Sequence, residues 1–459
     1  MQTTESQIVA DLPNGSDDAD ALQAFCDAVD ATGKLGVIPP GAYRVARPLS
    51  LPRRGNIQGA NRLSTAIHAV GDVDILQVQP NTDWLDVGHL GLFADATHRS
   101  KAGVRILSDV GNVTNCLFHD ILIDGVFAGV HSEPIVNNLH GMLGVEFHRV
   151  LVRSRGYALR LRNTTACKLL FFSSDHVGFH QPSDQARDIW IEGNTQAGGG
   201  CYLDHVNSQF PGSNGVVIEN FVQLWARHVT GDNALERCIW IKNCVQIHLV
   251  QAFASLGGRS QTAGFSMVVE QDTLGDSDIT LDQCHVGGAQ VNAGLLLKNV
   301  RGVSITNGTF LENAGASIKV EHCEHVSIVG VLIRGNDRSV RGIELVGSKF
   351  ASVVGNQMRG FSEDGVRLDG CESIVVTGNV IFGPGRLPPG DAERGISLIN
   401  SHFCSITGNS VREFQKGIKE FGASDHNVIN GNIVAFNGEG PADGANRTGA
   451  HSIESADVG

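Results

Sequence analysis

VSITNGTF (303–310), VSIVGVLI (326–333), ASVVGNQM (351–358), IVVTGNVI (374–381), CSITGNSV (404–411) and NVINGNIV (427–434) are six versions of one phrase. Their apolar centres, Ile305, Ile328, Val353, Val376, Ile406 and Ile429, are separated by 23, 25, 23, 30 and 23 positions. A period in the low twenties leaves no room for a long helix. It predicts one coil of three short strands per repeat, with strands of successive coils stacked in parallel ~4.8 Å apart. The fold expected is therefore all-β: a single right-handed parallel β-helix, whose core grows along an axis and so escapes the usual size limit of one compact core.

Two columns support the register. Asn356, Asn379, Asn409 and Asn432 each lie three residues past an apolar centre. Stacked asparagines can hydrogen-bond up the axis and tolerate left-handed turns. On the following strand, LLLKN (295–299), IKVEH (318–322), IELVG (343–347) and VRLDG (366–370) place Leu297, Val320, Leu345 and Leu368 inward. Two-residue alternation then turns Lys319, Glu344 and Arg367 outward on one track. Lys242, Glu270, Lys298 and Glu321 fall on another, as an alternating-sign ladder.

The N-terminus reads differently. Leu22, Phe25, Cys26 and Val29 follow helical spacing after Ser16, Asp17 and Asp18, and the pattern ends near Gly33. An amphipathic helix here would cap the open end of the solenoid. The expected organisation is a capping segment (1–36), a β-helix (37–437) and a C-terminal loop or disordered tail (438–459).

Composition narrows the function. The net charge of −13 speaks against a nucleic-acid partner, which wants a basic stripe. It disfavours a strongly anionic glycan unless local basic residues offset it. No apolar run reaches the ~18–20 residues of a membrane span. Residues 1–15 lack the basic and apolar regions of a signal peptide, so a secreted location would need a leader absent from this chain. The 10 cysteines are scattered without metal-ligand spacing and read as buried thiols, which suits folding in a reducing compartment. No metal or cofactor is expected.

The helix preceding VIPPGAYRV (37–45), followed by TGN and NGN coils, resembles the pectate-lyase-like β-helix superfamily of carbohydrate-active proteins. IELVGSKFASVVGNQM, RLDGCESIVVTGN, the lengthened coil GPGRLPPGDAERG (383–395) and NIVAFN are similar to the last coils of inulin fructotransferases. That resemblance implies a cofactor-free homotrimer with carboxylate chemistry. Of the ordered motifs of polygalacturonases only an approximate last element appears, at Arg237–Lys242, and the DPHE signature of mannuronan epimerases is missing.

Glycoside cleavage needs two carboxyl groups facing one bond. A lyase needs a base near the C5 proton of an acidic sugar and a cation or basic residues on its carboxylate. Residues 175–270 are the richest stretch for either. Asp204, Asp232, Glu236 and Glu270 are the expected catalytic carboxylates. Trp190, Trp225 and Trp240 are the expected sugar platforms, with His205, Arg227, His228 and Lys242 beside them, and Asp175-His176 forms a further pair. GNTQAGGG (193–200) and NSQFPGSNG (207–215) are expected to project as loops. The chemistry expected is a hydrolase or fructotransferase with paired carboxylates. A phage tailspike-like, virion-associated depolymerase and a polysaccharide lyase are the alternatives.

Overall fold

The computed structural model describes residues 1–132, 140–175, 187–193, 199–259, 264–336, 339–384, 394–435, 445–446 and 453–455. His176, most of 193–200 and of 383–395, and nearly all of the C-terminal tail lie outside the described residues. The chain forms two compact units, Met1–Gly231 and Asp232–Gly459. Each is a stack of parallel coils, so the chain is a parallel β-helix.

In the first unit a single helix, α1 (Ala19–Thr32), buries Leu22, Phe25, Cys26 and Val29, the four residues its spacing selects. It ends at Gly33, whose φ of 66° and amide bond to the Val29 carbonyl close the last turn. Asp18 flanks the helix without capping it. Its carboxylate instead accepts the Asn14 and Arg44 amides at 3.0 Å each, while Asp17 accepts the Ala19 amide at 3.0 Å. Parallel pairing begins before residue 37: Gln7–Val9 already pairs with Leu35–Ile38.

The strands Leu76–Val78, Ala102–Ile106, Ala128–Ser132, Tyr157–Thr165, Arg187–Gly193 and Asn214–Glu219 stack in parallel as one sheet of this unit. Val104, Val130, Leu159, Ile189 and Val216 point inward and are buried. The alternation sends Arg105, His131, Arg160 and Trp190 outward in one aligned column. A second sheet aligns Val87, Phe118, Phe147, Leu169 and Leu203 inside. Phe118 and Phe147 stack there at 5.2 Å between centroids.

A buried polar cluster interrupts the apolar interior of this unit. Asp188 is fully enclosed and accepts the Ala158 amide at 3.1 Å, with the hydroxyls of Ser174 and Ser208 also donating to it. This corrects the expectation of a projecting loop at 207–215. Asn207, Ser208 and Gln209 end a strand, Asn214 begins the next, and Ser208 faces inward because the Asp188 carboxylate needs its proton.

In the second unit the six centres from Ile305 to Ile429 align in unbroken parallel register. The asparagine column is a buried ladder. The Nδ2 of Asn356, Asn379 and Asn409 donates to the Oδ1 of the next asparagine at 2.9, 2.9 and 3.0 Å. Each also donates to a strand carbonyl, of Ile328, Val353 and Val376 respectively. Lys242, Glu270, Lys298 and Glu321 share one register line as expected. The ion pairs do not follow that line. Lys242 reaches Asp272 at 3.1 Å, and Glu270 accepts the Trp240 indole N–H at 2.9 Å. A lysine stem easily swings past its register partner toward the more exposed carboxylate. All ten cysteines are free and buried.

Candidate functional site

The outward column Arg105, His131, Arg160, Trp190 gathers the first unit's densest chemistry. Successive coils are ~4.8 Å apart, so side chains on neighbouring rungs touch. The Tyr157 hydroxyl and His131 Nδ1 are hydrogen-bonded. Tyr157 is braced edge-on by Phe127 at 5.9 Å. Arg105 Nε is paired with the buried Asp74 at 2.8 Å. Burial first, then the charges of Arg105 and Arg160, pushes His131 down to about 4. His131 is therefore an uncharged imidazole at neutral pH.

Trp190 sits under cations. The guanidinium carbons of Arg160 and Arg187 lie 4.2 and 3.9 Å from its ring centroid, and its indole N–H donates to Glu219 at 2.9 Å. Arg187 pairs with that same carboxylate at 2.9 Å, and Arg162 pairs with Glu192 at 2.7 Å. Arg160 differs from these two. Among the described residues no carboxylate lies within ion-pair distance of it, whereas the other two have one each. Burial holds its pKa below the ordinary arginine value. A half-buried guanidinium with no anion, next to a neutral His–Tyr pair, can receive a carboxylate from outside.

The expected site residues fall into separate groups. Asp204, His205, Arg227 and His228 come together at one turn of the first unit. Asp204 accepts from Arg227 at 2.7 Å, and its Oδ1 faces the Nδ1 of His205 at 2.8 Å and of His228 at 3.2 Å. The two imidazoles are 4.3 Å apart, and Phe171 stacks on His205 at 4.6 Å. The Arg227 guanidinium, above the other partners, pulls Asp204 down to about 2, so this carboxylate stays ionised. Trp225 is 46% exposed and lies over Gly200, where a Cβ would approach its ring at 3.2 Å.

Asp232, Glu236, Trp240, Lys242 and Glu270 belong to the second unit. Asp232 accepts from Asn233 at 3.0 Å, and Glu236 is buried. Trp240 is only 8% exposed, with its indole on Glu270 and Arg237 over its ring at 4.4 Å. Its face is covered rather than offered to a sugar.

His131, Tyr157, Arg105 and Arg160 were not among the expected residues. The signal lay in the strands GVHS (129–132) and YALRLR (157–162), whose outward members meet only once the coil lengths before residue 220 are known.

One family model matches residues 275–450, described as "Periplasmic copper-binding protein (NosD)". Copper wants clustered imidazole or thiolate donors. Among the described residues of that span no three such donors converge, and its cysteines are buried, so the residues present do not fit the ion. No curated protein matches the chain. Among solved structures, it is similar to the A-module of mannuronan C-5 epimerase AlgE4 of Azotobacter vinelandii (16% identity, 97% of this chain and 98% of that one, TM-score 0.39). It is similar also to the catalytic unit of a GH87 α-1,3-glucanase of Streptomyces thermodiastaticus (14%, 98% and 70%, TM-score 0.36). A third is the pre-mature gene product 12 of bacteriophage phi29 (11%, 97% and 65%, TM-score 0.49). At such identities and scores these likenesses carry no residue roles to this chain, whose own strand pairing identifies it as a parallel β-helix.

Proposed function

We propose that this chain acts on an acidic polysaccharide, abstracting the C5 proton of a uronate unit in a lyase- or epimerase-type reaction. The observation that carries this reading is the neutral His131 hydrogen-bonded to Tyr157 beside Arg160, a guanidinium with no ion-paired carboxylate among the described residues. The overall charge of −13 disfavours an anionic substrate, and this cluster of arginines is the local offset such a substrate needs.

In the proposed reaction Arg160 receives the sugar carboxylate and stabilises the charge that spreads onto it as C5 loses its proton. His131 donates from Nδ1 to the Tyr157 oxygen and takes the C5 proton on Nε2. The Tyr157 hydroxyl gives its proton to the glycosidic oxygen as the bond to C4 breaks, leaving a C4–C5 double bond. An epimerase would instead return a proton to C5 from the opposite face. Bound substrate charge offsets the arginines that press His131 down, so its basicity rises when it is needed.

The paired-carboxylate reading of Asp204, Asp232, Glu236 and Glu270 requires one carboxyl to hold a proton. Asp204 is kept ionised by Arg227, and Glu270 is engaged by Trp240, which weighs toward proton abstraction. The test is a panel of polyuronates and neutral glycans, followed by product mass and ultraviolet absorbance of unsaturated ends, with deuterium uptake at C5 from heavy water. Unsaturated or deuterated uronates lost in Tyr157→Phe and His131→Gln support the reading. Plain reducing ends or a dianhydride would instead return the hydrolase or fructotransferase, and binding without product would return a tailspike-like receptor protein.

A further inference from the structure

The first unit carries a second concentration of chemistry, at the turn that follows the strands Leu85–Gly88 and Leu117–His119. The turn position adopts the left-handed conformation, with φ of 58° at His89 and 54° at Asp120. The same turn is left-handed at Gln251, Gln283 and Asn307 of the second unit and passes to glycine at Gly355, Gly378, Gly408 and Gly431. At these two coils the turn position carries an imidazole and a carboxylate.

Three donor atoms converge. Asp120 Oδ2 lies 2.9 Å from His119 Nδ1 and 3.7 Å from His89 Nδ1, and all three sit within 4.8 Å of one another. An ion with bonds of ~2.0–2.1 Å to nitrogen spans ligand pairs about 3.3 Å apart in a tetrahedron. Small side-chain adjustments reach that geometry.

A separate observation concerns the other ring nitrogen of His119, which lies 3.0 Å from Asp86 Oδ1. Both nitrogens of one imidazole therefore face carboxylates. A neutral ring has a single N–H, so one contact would set a lone pair against a negative oxygen. The Gln58 amide nitrogen also stands 3.4 Å from Nε2, so a neutral ring could accept there while donating to Asp120, whereas a cation at Nδ1 would let Nε2 donate to Asp86. The second case is the familiar carboxylate–histidine–metal relay, in which the outer carboxylate fixes the tautomer. Gly88 makes room for the ring here: a Cβ at that position would stand 2.3 Å from its Nε2. Arg149 chelates Asp120 at 2.6 Å through two nitrogens. Two carboxylates against one guanidinium leave the pocket a negative charge when both imidazoles are neutral.

We propose that His89, His119 and Asp120 bind a divalent transition ion of the zinc class, through His89 Nδ1, His119 Nδ1 and Asp120 Oδ2, with Asp86 orienting His119. Imidazole nitrogens with one carboxylate select such an ion over calcium or magnesium, which take oxygen ligands. The superficially similar group at Asp204, His205 and His228 lacks two of these properties. Its single carboxylate is neutralised by Arg227, and among the described residues neither histidine has a carboxylate on its second nitrogen.

The test is calorimetric titration of the full chain, stripped with chelator, with zinc chloride at neutral pH and without any glycan. It is thus independent of the polyuronate reading. Saturable uptake is expected that is lost in His119→Gln and His89→Gln, kept in Asp204→Asn, and not displaced by calcium. Asp86→Asn should weaken it ~10–100-fold. Thermal melting of each variant checks folding, and His89, the more exposed ligand, serves if His119→Gln melts early. No saturable uptake by the wild-type chain overturns the proposal. So does uptake that survives both histidine changes or disappears in Asp204→Asn.

Discussion

Replacing Asp188 by Asn should make the chain more stable, and the gain should depend on pH. Asp188 is wholly enclosed in the first unit, and burial raises its carboxyl from the usual 3.8 to about 6, against the lowering effect of Ser208, Ser174 and the Ala158 amide. The folded state therefore holds this proton more tightly than the unfolded state. Below pH ~4 both states are protonated and the group exerts no pH effect. Between pH ~4 and ~6 the folded chain binds more protons, so stability falls as pH rises through that window. With ~1.36 kcal/mol per unit, the loss by pH 7 is about 3 kcal/mol. Asparagine keeps an acceptor oxygen for the Ala158 amide, and the serine hydroxyls can rotate to accept from its NH2. It carries no charge to desolvate. Denaturant unfolding of both proteins from pH 4 to pH 8 measures the difference. Asp188→Asn should match the wild type near pH 4 and exceed it by up to about 3 kcal/mol near pH 7. A difference that stays constant with pH would falsify the assignment of the shift to a buried, ionisable Asp188.

Tyr157→Phe and His131→Gln should each lower turnover on the polyuronate substrate by at least ~10²-fold with little change in melting temperature, as loss of a proton-transfer group does. Arg160→Ala should instead raise KM steeply for acidic glycans, read from initial rates at several chain charges; an unchanged KM speaks against carboxylate binding there. Asn409→Ala removes the acceptor of the Asn379 backbone and side-chain N–H groups, at 3.0 and 2.9 Å, and should cost ~1–3 kcal/mol per buried donor left unpaired. Unfolding midpoints measure it, and a loss below the noise would mean the ladder is replaceable by water. Asp364, fully buried with Arg341, Arg367 and Arg394 nitrogens 3.7–3.9 Å away, holds three cations together. Asp364→Ala should destabilise the second unit by ~3–5 kcal/mol, and a neutral result would show that those arginines find other anions.

Much of the fold was legible because a coil repeat writes itself into the chain. Leu297, Val320, Leu345 and Leu368 alternate with charged residues and do lie inside, and the asparagines from 356 to 432 do form one hydrogen-bonded stack. Burial and turn geometry are local demands repeated every coil, so periodicity alone reveals them. Helix α1 was legible for the same reason, its four apolar residues marking one face. Its cap was not, because Asp18 is recruited by the distant Arg44 amide.

The candidate site was less legible. Asp204, His205, Arg227 and His228 could be singled out from sequence as members of one chemically rich stretch, but not as one group. Their mutual neutralisation could not, because it depends on which oxygen each side chain reaches. His131 and Arg160 stand 29 residues apart in sequence and one rung apart in space. From Val104 the inward positions advance to Val130, Leu159, Ile189 and Val216, in steps of 26, 29, 30 and 27. With steps so uneven, no fixed period aligns the outward column.

The sequence by itself determined that this chain coils, where its apolar track runs, which asparagines stack and which helix covers the first unit's end. These follow from alternation and from turns that only certain residues tolerate. Tertiary structure alone decided that a histidine, a tyrosine and an arginine share one face, that Trp190 lies under guanidinium groups, and that both nitrogens of His119 meet carboxylates. The physical reason is that outward positions are free of the packing constraint that makes inward ones periodic, so their partners are set by the register of whole coils.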